Sequence, residues 1–128
     1  MNNGETGCPF CTTINAKDII IEGKYTFAIL DRYPVSKGHS LVISKRHCSN
    51  YFELNEDEQR ETWELISKIR QKIQQEHTPD GFNIGMNISS VAGQTVPHSH
   101  IHIIPRYKGD MQDPRGGIRH CIEGKGYY

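Results

Sequence analysis

The sequence carries no excess charge of either sign, since 15 Lys and Arg balance 15 Asp and Glu over 128 residues. A net charge of zero leaves no basic surplus for the salt-dependent grip on a phosphate backbone, so long DNA or RNA is not an expected partner. Long apolar runs are missing too. Runs such as Ile19-Ile20-Ile21 and Leu41-Val42-Ile43 are only strand-sized, and no membrane span is expected. Met1 to Gly7 holds neither a basic region nor an apolar secretion segment, and a cytoplasmic location follows as the expectation. Cysteines number four. In that compartment they are expected as thiols or thiolates rather than a disulfide framework. The length is too small for two independent domains around a cleft, so one domain over residues 1–128 is expected. Internal repeats, low-complexity tracts and heptad runs are absent as well.

What is present alternates short β-like segments with one helical one. Tyr25 to Asp31 reads as a strand, Tyr33 to Gly38 as a reversing loop, and His39 to Ser44 as a second strand. Asn55 with Glu58 three residues on forms a capping-box signature. Leu65, Ile66, Ile69 and Ile73 then recur at helical spacing until Thr78-Pro79-Asp80-Gly81 stops the pattern. The helix is one-sided and is expected to lie on a sheet. Phe82 to Ser89 and Ser99 to Arg106 read as two further strands, and the residues from about 107 onward as a loop-like tail. Strands, one long helix, then strands with short connections give an α+β fold with an antiparallel sheet.

The distinctive feature is His98, His100 and His102, alternating with Ser99, Ile101 and Ile103. In a strand this spacing puts three imidazoles on one face while the isoleucines pack below. Such a row is costly unless a ligand, a metal or the imidazoles themselves satisfy it. Histidine nitrogen is a competent nucleophile near neutral pH, and its phosphorus adduct can be opened by water, so one difficult displacement becomes two easier ones. Neighbouring imidazoles can balance charge on non-bridging oxygens. Gly93-Gln94-Thr95 just upstream supplies small, donor-rich groups suited to a phosphate, although the tripeptide alone reads better as an ordinary turn.

The run from Gly93 to Arg106, with Gln94-Thr95 before three alternating histidines and two apolar residues after them, resembles the signature of the histidine triad family of nucleotide hydrolases and transferases. Asp31, His39 to Ile43, Lys45-Arg46-His47 and Asn87 match at similar separations, and the resemblance runs from Cys8 to about Gly117. Ser99 departs from it, standing where an apolar residue is usual. The resemblance implies a five-stranded antiparallel sheet with a long amphipathic helix and a homodimer. It implies a purine nucleotide or dinucleoside polyphosphate as substrate, with His100 attacking the α-phosphorus, His39 and His102 balancing charge, and Gln94 and Thr95 beside the leaving group. Asn87 and Gly93 would meet the phosphate, Asp31 the ribose, and Phe27 and Ile29 the nucleoside. Bland rivals stand beside these roles: Asp31 as a turn residue, Phe27 and Ile29 as core. Cleavage of a nucleoside phosphoramidate, nucleotidyl transfer to phosphate, and non-catalytic nucleotide binding are the alternative functions.

Cys8-Pro9-Phe10-Cys11 has the gap that lets two thiolates grip one metal, and in a cytosolic chain it is either half a zinc site or a redox dithiol. A redox pair would stand at the start of a helix after a strand, and no strand is expected before Cys8. Resemblance to small bacterial members implies His47 and His98 as the other two ligands of one structural zinc, with Cys48, His120 or Cys121 as rival fourth ligands. No organic cofactor is expected.

Overall fold

The computed structural model describes residues 5–128. Five strands form one antiparallel sheet: β1 (Ile19–Glu22), β2 (Thr26–Leu30), β3 (Ser40–Ser44), β4 (Gly81–Gly85) and β5 (His100–Arg106), in the spatial order β1-β2-β3-β5-β4. The α+β expectation holds. The long helix α2 (Glu56–His77) starts at Asn55, whose side chain accepts from Glu58 N–H while the Glu58 carboxylate accepts from Asn55 N–H. It stops at Thr78, whose left-handed backbone ends the hydrogen-bond ladder before Pro79.

Period two sorts the strands into two faces. Ala28, Val42, Ile101 and Ile103 pack against Leu65, Ile66, Ile69 and Ile73 of α2, which is the stripe read from the sequence. The opposite face carries Phe27, Ile29, Leu41 and Ile43, and Phe10, Ile14 and Ile19 cover them. Register fixes what stands beside what: Phe27 is opposite Ile43 and Ile43 opposite His100, while Ile29 is opposite Leu41 and Leu41 opposite His102. Two rows of apolar residues therefore run across the sheet, and each ends on an imidazole. Gly85 faces His102 from β4 and adds no side chain there.

The helix is also tied to the β1–β2 turn. Glu61 accepts from the backbone N–H groups of Lys24, Tyr25 and Thr26 and from the Thr26 hydroxyl. Gly23 leaves room for this, because a Cβ there would lie 2.3 Å from Glu61 Oε1.

The structure adds elements to the sequence reading and corrects others. β1 is a strand of its own, paired to β2 with an irregularity between Ile19 and Ile21. The fourth strand stops at Gly85 rather than Ser89: beyond it the chain leaves the sheet, and Ser89, with φ of 75°, is far from extended geometry. The last strand begins at His100 and not at Ser99. The Cys8 segment is followed by a short helix, α1 (Pro9–Thr12), with proline at its first position where no N–H is needed. The tail is not all loop, since Gly117–Cys121 forms a 3-10 turn. No helix among the described residues is long and apolar enough to cross a membrane.

Candidate functional site

The imidazoles at the ends of the two apolar rows line a cavity of about 490 Å³, within the usual range for small-molecule sites of roughly 300–1,000 Å³. Phe10, Ile14, Ile29 and Leu41 give it apolar walls, and Asp31, His39, Asn87, Thr95, His100 and His102 polar ones. Gly93 lines it too, with a left-handed φ of 95°, and lies against the Asn87 amide.

Backbone contacts fix the proton on each ring. His100 Nδ1 lies 2.7 Å from the carbonyl of His98, which can only accept, so Nδ1 holds the proton and Nε2 keeps its lone pair. Val35 N–H donates to His39 Nδ1 at 3.1 Å, which puts the His39 proton on Nε2. That N–H donates in turn to His102 Nδ1 at 3.0 Å, with Asp31 Oδ2 at 3.4 Å. His102 therefore carries its proton on Nε2. Burial pushes His39, His100 and His102 below the ordinary imidazole value, His102 to about 4, where His100 and His39 add to the effect and Asp31 opposes it. All three are neutral at pH 7. The site thus holds one imidazole with a free lone pair and a neighbour that donates.

The atoms Asp31 Oδ2, His39 Nε2 and His102 Nδ1 also lie close enough together for a cation. The ring protons argue against one. A metal on His39 Nε2 would move that proton to Nδ1, against the Val35 N–H, so this trio is a hydrogen-bond relay. Asp31 adds a local role, accepting from Tyr33 N–H through Oδ1.

A second cluster lies behind His100. Cys8, Cys11, His47 and His98 offer four donor atoms within 4.8 Å of one another. His98 Nδ1 is 3.4 Å from Cys8 Sγ, 3.5 Å from Cys11 Sγ and 3.1 Å from His47 Nδ1, and Cys11 Sγ is 3.3 Å from His47 Nδ1. Around a tetrahedral ion bound at about 2.0–2.3 Å, neighbouring ligand atoms lie about 3.3–3.7 Å apart, so the set fits one metal with slight relaxation. His98 Nε2–H donates to the Ser44 carbonyl at 2.7 Å, which turns the Nδ1 lone pair toward the cluster and orients the ring from behind. Phe10, between the two cysteines, stands edge-on to His98 and His100. Sequence reasoning did not single it out as a wall of the cavity. Its place inside the Cys-x-x-Cys segment was the available signal.

The expected site residues come together with two exceptions. Phe27 is 1% exposed and absent from the cavity wall, because its row ends at His100 beneath α1 and only Ile29, in the next row, reaches the cavity. Gln94 is absent from the wall as well. Its Oε1 accepts from Ser89 N–H, and its Nε2 donates to the carbonyls of Ser49 and Val96, so the amide has nothing left for a phosphoryl oxygen. Ser99 is buried and its backbone bridges Cys48 and Ser44, leaving the imidazole face undisturbed.

Comparison with known proteins agrees with this geometry. The HIT domain family model matches residues 12–109. "Protein hit" of Bacillus subtilis is 42% identical over 108 residues, covering 80% of this chain and 74% of that one. AP-4-A phosphorylase of Mycobacterium tuberculosis is 33% identical over 93 residues, 72% of this chain and 48% of that one. The bifunctional bis(5'-adenosyl)-triphosphatase/adenylylsulfatase FHIT of Arabidopsis thaliana is 29% identical over 99 residues, 77% of this chain and 55% of that one. Among solved structures, a Zn-bound histidine triad family protein from Mycobacterium smegmatis superposes with a TM-score of 0.73 at 30% identity, covering 84% of this chain and 80% of that one.

Proposed function

The chain belongs to the HIT domain family, and from that premise we propose that it is a nucleotide hydrolase acting at the α-phosphorus of a dinucleoside polyphosphate. The observation that carries this reading is the His100 ring, neutral and held through Nδ1–H so that Nε2 presents its lone pair. In the first step Nε2 attacks the α-phosphorus and the bond to the bridging oxygen breaks, giving a nucleotidyl-histidine and a nucleoside polyphosphate. His102 Nε2–H stabilises the phosphoryl oxygens or the departing one, and His39, held by Val35 and facing Asp31, keeps His102 in the donating tautomer. Thr95 and Val96 add backbone N–H groups that meet no protein acceptor among the described residues. In the second step water attacks the phosphorus, the P–N bond breaks, and a nucleoside monophosphate leaves while the imidazole returns to neutral. Asn87 and Gly93 border the phosphate, Asp31 accepts from the ribose, and Ile29 with Leu41 and Phe10 contacts the base.

The same proposal includes a structural zinc on Cys8, Cys11, His47 and His98. With four protein ligands it would supply fixed geometry and no open coordination position. It also includes a homodimer, with β4 as an unpaired edge of the sheet and Trp63 half-exposed on α2.

Resemblance to a phosphorylase favours a second reading, in which phosphate instead of water opens the adduct. A third, hydrolysis of a nucleoside phosphoramidate, shares the first step with an amine as leaving group. Chromatography of the products from a diadenosine polyphosphate and an adenosine phosphoramidate, with and without added phosphate, separates them. The proposal expects AMP plus the remaining nucleotide at a rate indifferent to phosphate. ADP formed only with phosphate supports transfer, and no turnover of any of these refutes the enzyme.

A further inference from the structure

Ser89 occupies a backbone region, φ 75° and ψ 158°, that is essentially reserved for glycine. A non-glycine residue stays there only if its surroundings hold it: Ala92 N–H donates to the Ser89 carbonyl at 3.0 Å, and Gln94 supplies the rest of the hold. Gln94 Oε1 accepts from Ser89 N–H at 2.9 Å, while Gln94 N–H donates to the Ser89 carbonyl at 3.2 Å. Residue 94 therefore grips both backbone groups of residue 89. The other end of the amide reaches out of the loop: Nε2 donates to Ser49 at 2.6 Å and to Val96 at 3.0 Å. Swapping oxygen and nitrogen would set the one oxygen against two carbonyls and the NH2 against an N–H, so this orientation is the one that works.

The Val96 carbonyl also accepts from His98 N–H at 2.8 Å, and the His98 carbonyl accepts from His100 Nδ1. A single chain of hydrogen bonds thus leads from Gln94 through Val96 and His98 to His100. Between its two anchors lie Thr95 and Val96, which line the cavity and whose N–H groups have no acceptor among the described residues.

We propose that Gln94 is a positioning residue. It clasps the loop from Ser89 to Val96 to the Ser49 carbonyl, in the one shape that presents Thr95 and Val96 to a substrate phosphate, and it touches no reacting atom. The claim rests on the phosphate-site reading above and goes beyond it by moving Gln94 out of the substrate's reach and giving it the loop.

The test uses the full chain and two ligands that differ only by phosphate, AMP and adenosine, titrated calorimetrically. Gln94→Met keeps length and loses every side-chain hydrogen bond, so AMP affinity falls about tenfold while adenosine affinity stays within about twofold. Turnover of the best dinucleoside polyphosphate drops mainly in kcat, by about a hundredfold, as expected for misplacement rather than lost contact. Gln94→Glu keeps the shape and the bond from Ser89 but sets a carboxylate against two carbonyls. Protonation restores one donor, so its AMP affinity recovers relative to Gln94→Met as pH falls. The proposal is overturned if Gln94→Met retains the wild-type AMP preference and kcat, or if AMP and adenosine weaken together. A wild-type chain that binds AMP no better than adenosine refutes the phosphate site itself, and this proposal with it, which separates the two failures.

Discussion

At the scale of the residue, the site is governed by where ring protons sit. His102 is a buried neutral imidazole faced by His100 on its own strand, His39 just before β3 and Asp31 after β2. Its folded value of about 4 lies below the ordinary one near 6.5, so the unfolded chain binds more protons between those two values. Stability is therefore full above about pH 6.5 and is lost as pH falls toward 4, by about 2–3 kcal/mol from this group. Urea unfolding at several pH values in that window, on the wild-type chain and on His102→Gln, checks this. The wild type weakens more steeply with acid, and parallel curves would contradict the assigned burial cost.

At the scale of the element, α1 joins the metal cluster to the cavity. Cys8 caps its start, Cys11 sits within it, and Phe10 between them stands edge-on to both His98 and His100. The proposed zinc should therefore hold a cavity wall in place as well as the N-terminal segment. Protein purified without chelator is expected to contain about one zinc per chain, and the double change Cys8→Ser with Cys11→Ser to lower both metal content and Tm. A metal-free chain of unchanged Tm would remove the metal from the account.

Most of this element-level picture was legible in the sequence, for physical reasons that differ by element. The α2 stripe and its capping box are local patterns, and the structure repeats them nearly residue for residue. The His-Ile alternation likewise required a strand with two unlike faces. What could not be read depends on partners distant in sequence. Ile19 to Glu22 becomes a strand because β2 lies beside it, and Gly23 is needed because Glu61 folds back onto its turn. Phe27 and Ile29 have the same chemistry and the same face, yet only the cross-strand register decides which one reaches the cavity. Gln94 was misplaced for a related reason, since nothing in a Gly-Gln-Thr string says that the amide points to Ser49, 45 residues earlier.

At the scale of the whole molecule, one sheet carries two unlike cores. Its helix side is closed by α2, and its other side is closed only partly by α1 and the following segment, which leaves the cavity. The unpaired β4 edge and the half-exposed Trp63 are the features a second copy would cover. Light scattering at micromolar concentration is expected to report twice the chain mass of 14.6 kDa, and a stable monomer would refute the dimer.

The central claim is that His100 forms a covalent bond to the nucleotide, and the most direct measurement is to trap that bond. A diadenosine polyphosphate labelled at the α-phosphate is mixed with the protein, quenched in neutral denaturant that preserves phosphorus–nitrogen bonds, and the label is mapped by peptide mass spectrometry. The account predicts an adenylyl group on the peptide containing His100, and a folded, nucleotide-binding but inactive His100→Ala variant that carries none. Label on another residue, or wild-type turnover by His100→Ala, would contradict it.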